Sequence, residues 1–172
     1  MAAAVAAWVD TARDREWASP EPSAILRAMD RFRPVPDVPA RSSSWAEWLY
    51  FKGRAGEVQF YMTFLAGPRL PDGRRVAGVR FQLDRAGVTT SYGASTTVDE
   101  AELLRAAPDL TIGGASVRLE GLRYHVTLDL PRLDAAARGR VTGDFSVDAV
   151  AGRSLAPIEL RGAGGWVSGY TV

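Results

Sequence analysis

The chain has 172 residues, with 21 basic against 20 acidic side chains, one histidine and no cysteine. That length holds one domain with a sizeable core, and the missing cysteines exclude a thiol nucleophile, a disulfide framework, a zinc ribbon and a cysteine-held iron–sulfur cluster. A lone His125 cannot build a two-histidine metal site, and a net charge of +1 argues against a broad nucleic-acid surface.

Met1 to Val9 is apolar, but no lysine or arginine precedes it and Asp10, Arg13, Asp14, Arg15 and Glu16 follow at once, unlike a secretory leader. Val5, Trp8, Val9 and Ala12 repeat at i, i+3, i+4 and i+7, which predicts an amphipathic helix. No run approaches the roughly 20 apolar residues a membrane span takes, so no span and a cytoplasmic location are expected. Ser23 is a suitable N-cap for a second short helix with Ile25, Leu26, Met29 and Phe32 on one side. Pro34, Pro36 and Pro39 then impose extended backbone. Residues 1–40 read as a helical arm and Pro-rich linker, and residues 41–172 as the folded domain.

From Arg41 the period changes to two. Val58, Phe60, Met62 and Phe64 alternate with polar neighbours, as do Val79, Phe81 and Leu83, and Val141, Phe145 and Val147. That is the signature of antiparallel strands with one apolar and one wetter face. Turn residues separate them at Gly53 to Gly56, Pro71-Asp72-Gly73, Asp84 to Gly87 and Gly113-Gly114. Leu122, Tyr124, Val126, Leu128 and Leu130 are out of phase with Val117 and Leu119, so a tight turn or bulge is expected at Glu120-Gly121. Thr97 with Glu100 forms a capping box for one short helix bounded by Pro108. About nine short strands with one helix predict an all-β fold, an antiparallel meander closed into a barrel.

Chemistry has few carriers left. The densest aromatic segment is Trp45-Ala46-Glu47-Trp48-Leu49-Tyr50-Phe51, which as a strand puts Trp45, Glu47, Leu49 and Phe51 on one face and Trp48 and Tyr50 on the other. A carboxyl among apolar neighbours has a raised pKa and can act as a general acid near neutrality, so Glu47 is the catalytic candidate. Pairing of Glu47 with an arginine on a neighbouring strand, or a role in closing the barrel end, is the structural alternative. The closing segment Gly165-Trp166-Val167-Ser168-Gly169-Tyr170 is a second aromatic strand, and pairing with the Glu47 strand would build an aromatic wall for a flat or elongated apolar ligand. Trp45, Trp48, Tyr50, Phe60, Met62, Phe64, Trp166 and Tyr170 are the candidate ligand-lining residues, with core packing as the alternative. His125 faces the polar side of its strand, as a rim residue would. No residue set calls for a metal or cofactor.

Glu47-Trp48-Leu49-Tyr50-Phe51, its spacing to Phe60-Tyr61-Met62-Thr63-Phe64-Leu65, and the closing Gly165 to Tyr170 segment resemble the carotenoid 1,2-hydratase (hydroxyneurosporene synthase) and AttH-type lipocalin-like family. The likeness covers most of 41–172, with Leu49 standing where the family motif has a second tryptophan. It implies a lipocalin-like β-barrel around a long apolar molecule, isoprenoid, carotenoid or lipid. In the hydratase branch it implies addition of water to an isoprenoid double bond, with Glu47 as the available proton donor. Family members are tandem barrels, so the resemblance also implies a second lipocalin-like domain in the full-length protein.

Overall fold

Alternating side chains and turn glycines lay out two meanders, each formed only from chain neighbours. A computed structural model describes residues 22–35, 37, 42–134, 138–149, 153–160 and 165–171. Strands β1 (Glu47–Ala55), β2 (Val58–Arg69), β3 (Arg74–Arg85) and β4 (Val88–Asp99) form one antiparallel sheet in the order β1-β2-β3-β4. Strands β5 (Leu110–Ile112), β6 (Ala115–Glu120), β7 (Arg123–Pro131) and β8 (Arg140–Asp148) form a second, in the order β5-β6-β7-β8. Helix α1 (Pro22–Asp30) precedes the first sheet and α2 (Glu100–Ala106) joins the two. The fold is therefore mostly antiparallel β with few helices, as the period-two pattern predicts.

The turns follow the expected chemistry. Gly73 at φ 82° closes the β2–β3 turn by donating its N–H to the Leu70 carbonyl at 2.9 Å. The β3–β4 hairpin turns on Ala86 at φ 49° and Gly87 at φ 78°, and two positive φ values match the right-handed strand twist. The phase slip at Glu120-Gly121 is a tight turn between β6 and β7, with Gly121 at φ 59°.

Three local expectations are corrected. The α2 N-cap is Asp99, whose carboxylate accepts the Glu102 N–H at 2.9 Å, and not Thr97. Thr97 is still in β4, where it pairs with Val76 and is unavailable as a cap. Helix α1 begins at Pro22, so Ser23 lies inside its first turn and does not precede it. The closing strand β10 (Gly165–Thr171) pairs with β9 (Arg153–Leu160) as a separate two-stranded sheet, and β1 remains an edge strand of the first sheet. A hairpin partner eight or so residues away costs less loop-closure entropy than one more than a hundred away. The first proposed helix, Val5 to Ala12, lies outside the described residues.

The inner faces of the two four-stranded sheets share one core. Leu49, Phe51, Met62, Phe64, Val79 and Phe81 from the first meet Val117, Leu119, Tyr124, Val126, Leu128 and Leu130 from the second. Leu26 of α1, and Phe32 just after it, are buried in the same cluster. Along one side the sheets are joined by the bridge Tyr92↔Arg132 and by the Leu133 N–H donating to the Ser91 carbonyl at 2.8 Å. No helix among the described residues is long and apolar enough to cross a membrane.

Candidate functional site

The ends of the first sheet are chemically opposite. At the end where β1 starts, Arg75 occupies an inward-facing position of β3 and is fully buried. Its Nε donates to the Gly67 carbonyl at 2.8 Å, Nη1 to the Arg33 carbonyl at 3.0 Å and Nη2 to the Ala66 carbonyl at 3.2 Å. Glu100 supplies the countercharge, its Oε1 3.8 Å from Arg75 Nη1 and its Oε2 2.6 Å from Arg69 Nη2. Burial pulls the Arg75 guanidinium below its ordinary range, against the opposing field of Glu100 and Glu47.

Glu47 belongs to this polar clamp. Its Oε2 accepts the Arg33 backbone N–H at 2.7 Å and its Oε1 pairs with Arg33 Nη1 at 3.0 Å. The Glu47 side chain is 13% exposed, and both oxygens hold the segment that leads from α1 into the first sheet. Of the alternatives weighed for this residue, the geometry supplies the arginine pair, although Arg33 comes from that segment and not from a neighbouring strand.

Toward the other end the cover thins. The row Phe51, Met62 and Phe81 is buried, whereas Phe60 and Leu83, one pleat further on, are half-buried. On the facing sheet Val141, Phe145 and Val147 of β8 are likewise half-buried while Val126 and Leu128 of β7 are enclosed. Phe60 stacks on Phe81 at 5.8 Å and meets Phe145 at 4.8 Å, and Phe145 reaches Phe51 at 6.3 Å. Phe51 in turn meets Tyr124 edge-on at 5.3 Å and Phe64 at 6.5 Å. A continuous run of rings thus leads from half-buried to fully buried positions.

The ligand-lining candidates divide accordingly. Phe60, Met62 and Phe64 face the core, Phe60 half-buried and the other two fully buried. Trp48 and Tyr50 are each 50% exposed on the outer face of the first sheet, with Tyr50 stacked on Tyr61 at 6.4 Å. Trp45 is half-buried just before β1. Trp166 and Tyr170 lie on β10, opposite Glu159 and Ser154 of β9. Their strand pairs with β9, and the described strand pairing includes none between β10 and β1.

Two further features are the structure's own. Asp30, the last residue of α1, is buried, and burial pushes its carboxyl from an ordinary 3.8 up to about 7. Its signal in the sequence is the i+4 spacing from the buried Leu26. A cleft of about 440 Å³ opens between β4, α2 and β5, lined by Arg74, Val98, Asp99, Glu102, Leu103 and Asp109. Its charged groups are largely engaged: Arg74 donates to the Thr97 carbonyl, Asp99 caps α2, and Asp109 binds Arg27 at 2.8 Å and the Leu119 N–H at 2.8 Å. Burial works against the Asp109 charge, but the Leu119 N–H and Arg27 hold its carboxyl below the usual range. His125 stands on the outer side of β7 with Nδ1 3.1 Å from Ser146 Oγ, a rim position. Among the described residues no three potential metal ligands lie together.

These features define a mostly antiparallel β protein with a polar clamp at one end of its first sheet and a half-buried aromatic cluster at the other. No family model, curated protein or solved structure matches the chain.

Proposed function

We propose that this domain is a lipocalin-like barrel that binds one elongated or flat apolar molecule, of isoprenoid, carotenoid or lipid kind, in the interior reached between Phe60 and Phe145. The observation that carries the reading is the run of contacting rings, Phe60, Phe81, Phe145 and Phe51, whose outermost members are half-buried while the inner ones are enclosed. Half-covered aromatic surface facing inward is what area burial and stacking by an apolar ligand would complete. The resemblance of the Glu47 to Phe51 and Phe60 to Leu65 motifs to the hydratase and AttH-type family supports the same ligand class.

Binding without transformation is the better-supported form. Alkene hydration begins with protonation by an acid that reaches the double bond, whereas both Glu47 oxygens are taken up by Arg33, at the end of the first sheet opposite Phe60. Native mass spectrometry with retinol and oleate, alongside tryptophan quenching, tests the proposal. A one-to-one complex that weakens in Phe145→Asp and Phe60→Asp variants with retained circular dichroism is expected. No uptake of either compound by the folded wild-type protein would refute it.

A further inference from the structure

An apolar site gains orientation from a small number of polar groups, and the interior side chains named above offer one. Tyr124 of β7 is only 2% exposed and lies between Leu119 of β6 and Val147 of β8 in the strand register. Its ring meets Phe51 edge-on at 5.3 Å. Its hydroxyl is buried with no hydrogen-bond partner among the described residues, although a buried tyrosine O–H ordinarily finds one. Phenylalanine would fill nearly the same volume without placing a polar group in hydrocarbon, so the hydroxyl lowers stability where it stands. Two ring contacts separate the Tyr124 ring from the half-buried rings: Phe51 meets Phe145 at 6.3 Å, and Phe145 meets Phe60 at 4.8 Å. A molecule that displaces the half-buried Phe145 comes to lie against Phe51, beside Tyr124.

Resting on the apolar-ligand reading, we infer that the Tyr124 hydroxyl is the hydrogen-bonding anchor of this site, so that its preferred ligand is a flat or elongated hydrocarbon bearing one terminal oxygen, as an alcohol or carbonyl, and not a bare hydrocarbon. The Tyr124 O–H donates to that oxygen, and a ligand hydroxyl can return a proton to the same Oη. The ligand satisfies the orphan group, which makes recognition selective: a hydrocarbon of equal shape leaves the hydroxyl unpaired in the complex.

The test uses 2-naphthol and 2-methylnaphthalene, which share a ring system and shape and differ in the single oxygen. Affinities of both are measured by fluorescence titration on the full chain, wild type and Tyr124→Phe, with urea midpoints for the two proteins. The ratio of 2-naphthol to 2-methylnaphthalene affinity should fall roughly tenfold in the variant, the size of one buried hydrogen bond. The 2-methylnaphthalene affinity and the urea midpoint should not fall. An unchanged ratio overturns the anchor and leaves the apolar site standing. A lowered midpoint shows that the hydroxyl is already satisfied in the free protein and overturns it as well. If neither probe binds the wild type, the apolar-ligand reading itself fails and the anchor falls with it.

Discussion

The two ends of the first sheet solve one problem in opposite ways. Where β1 begins, a buried charge is matched group for group: Arg75 meets three carbonyls and Glu100, and Glu47 meets Arg33. Where β1 ends, apolar side chains are packed against one another but left half-covered at Phe60, Leu83 and Phe145. The first arrangement fixes where the chain enters the fold, and the second leaves apolar surface half-covered. Under the proposed function, the contrast assigns stability to one end and binding to the other.

Arg75→Ala should be the most damaging change, because it strands the Gly67, Ala66 and Arg33 carbonyls and leaves Glu100 less compensated. A loss of about 3–5 kcal/mol in urea unfolding is expected, with ligand uptake by the remaining folded fraction unchanged. Removing a ring separates the ends further: Phe64→Ala, in the enclosed part, should cost about 3–5 kcal/mol, whereas Phe145→Ala should cost less than half as much and yet weaken retinol binding. Equal costs for the two would erase the distinction drawn here.

The pH dependence tests the segment that leads into the clamp. The Asp30 carboxyl titrates near 7 when folded and near 3.8 when unfolded, so the folded state holds the extra proton between those values. The Asp30 contribution to stability is full below about pH 4 and declines as pH rises toward 7. Asp30→Asn should flatten that decline by a few kcal/mol in urea midpoints measured across the window. The smallest effect is expected at Ala86, which holds φ 49° in the β3–β4 turn. Ala86→Asn should raise the thermal midpoint slightly, by about 0.5–1 kcal/mol, and leave binding alone.

Much of this was readable in the residues. Alternation at Val58 to Phe64, Val79 to Leu83 and Val141 to Val147 carries β2, β3 and β8, Gly73 and Gly87 mark the turns on either side of β3, and Gly121 marks the one between β6 and β7. The faces of β1 were harder to assign. Aromatic side chains stand on both of its sides, so period two offers no contrast by which to tell outward Trp48 and Tyr50 from inward Leu49 and Phe51. Two capping patterns also overlap, Thr97 with Glu100 and Asp99 with Glu102, and the pairing of Thr97 with Val76 selects the second. Arg75 shows the limit most clearly. An arginine at an inward strand position reads as a break in the pattern until Gly67, Ala66, Arg33 and Glu100 are brought to it, and those partners come from three separate stretches of chain.

The meander order of the two sheets bears on how the molecule assembles. Every pair within β1 to β4 and within β5 to β8 joins consecutive strands, so each half can zip up hairpin by hairpin with short loops to close. Contacts that span longer stretches then join these halves to each other and to the segment before them, among them the Arg75 and Glu47 bonds to Arg33, the Glu100 bond to Val35, the Arg27 bonds to Asp109 and Leu119, and the rings that meet across the core. On loop-closure grounds helix α1 and the residues after it are expected to fasten late, onto a surface that the halves have already made, as a latch drops onto a door already closed.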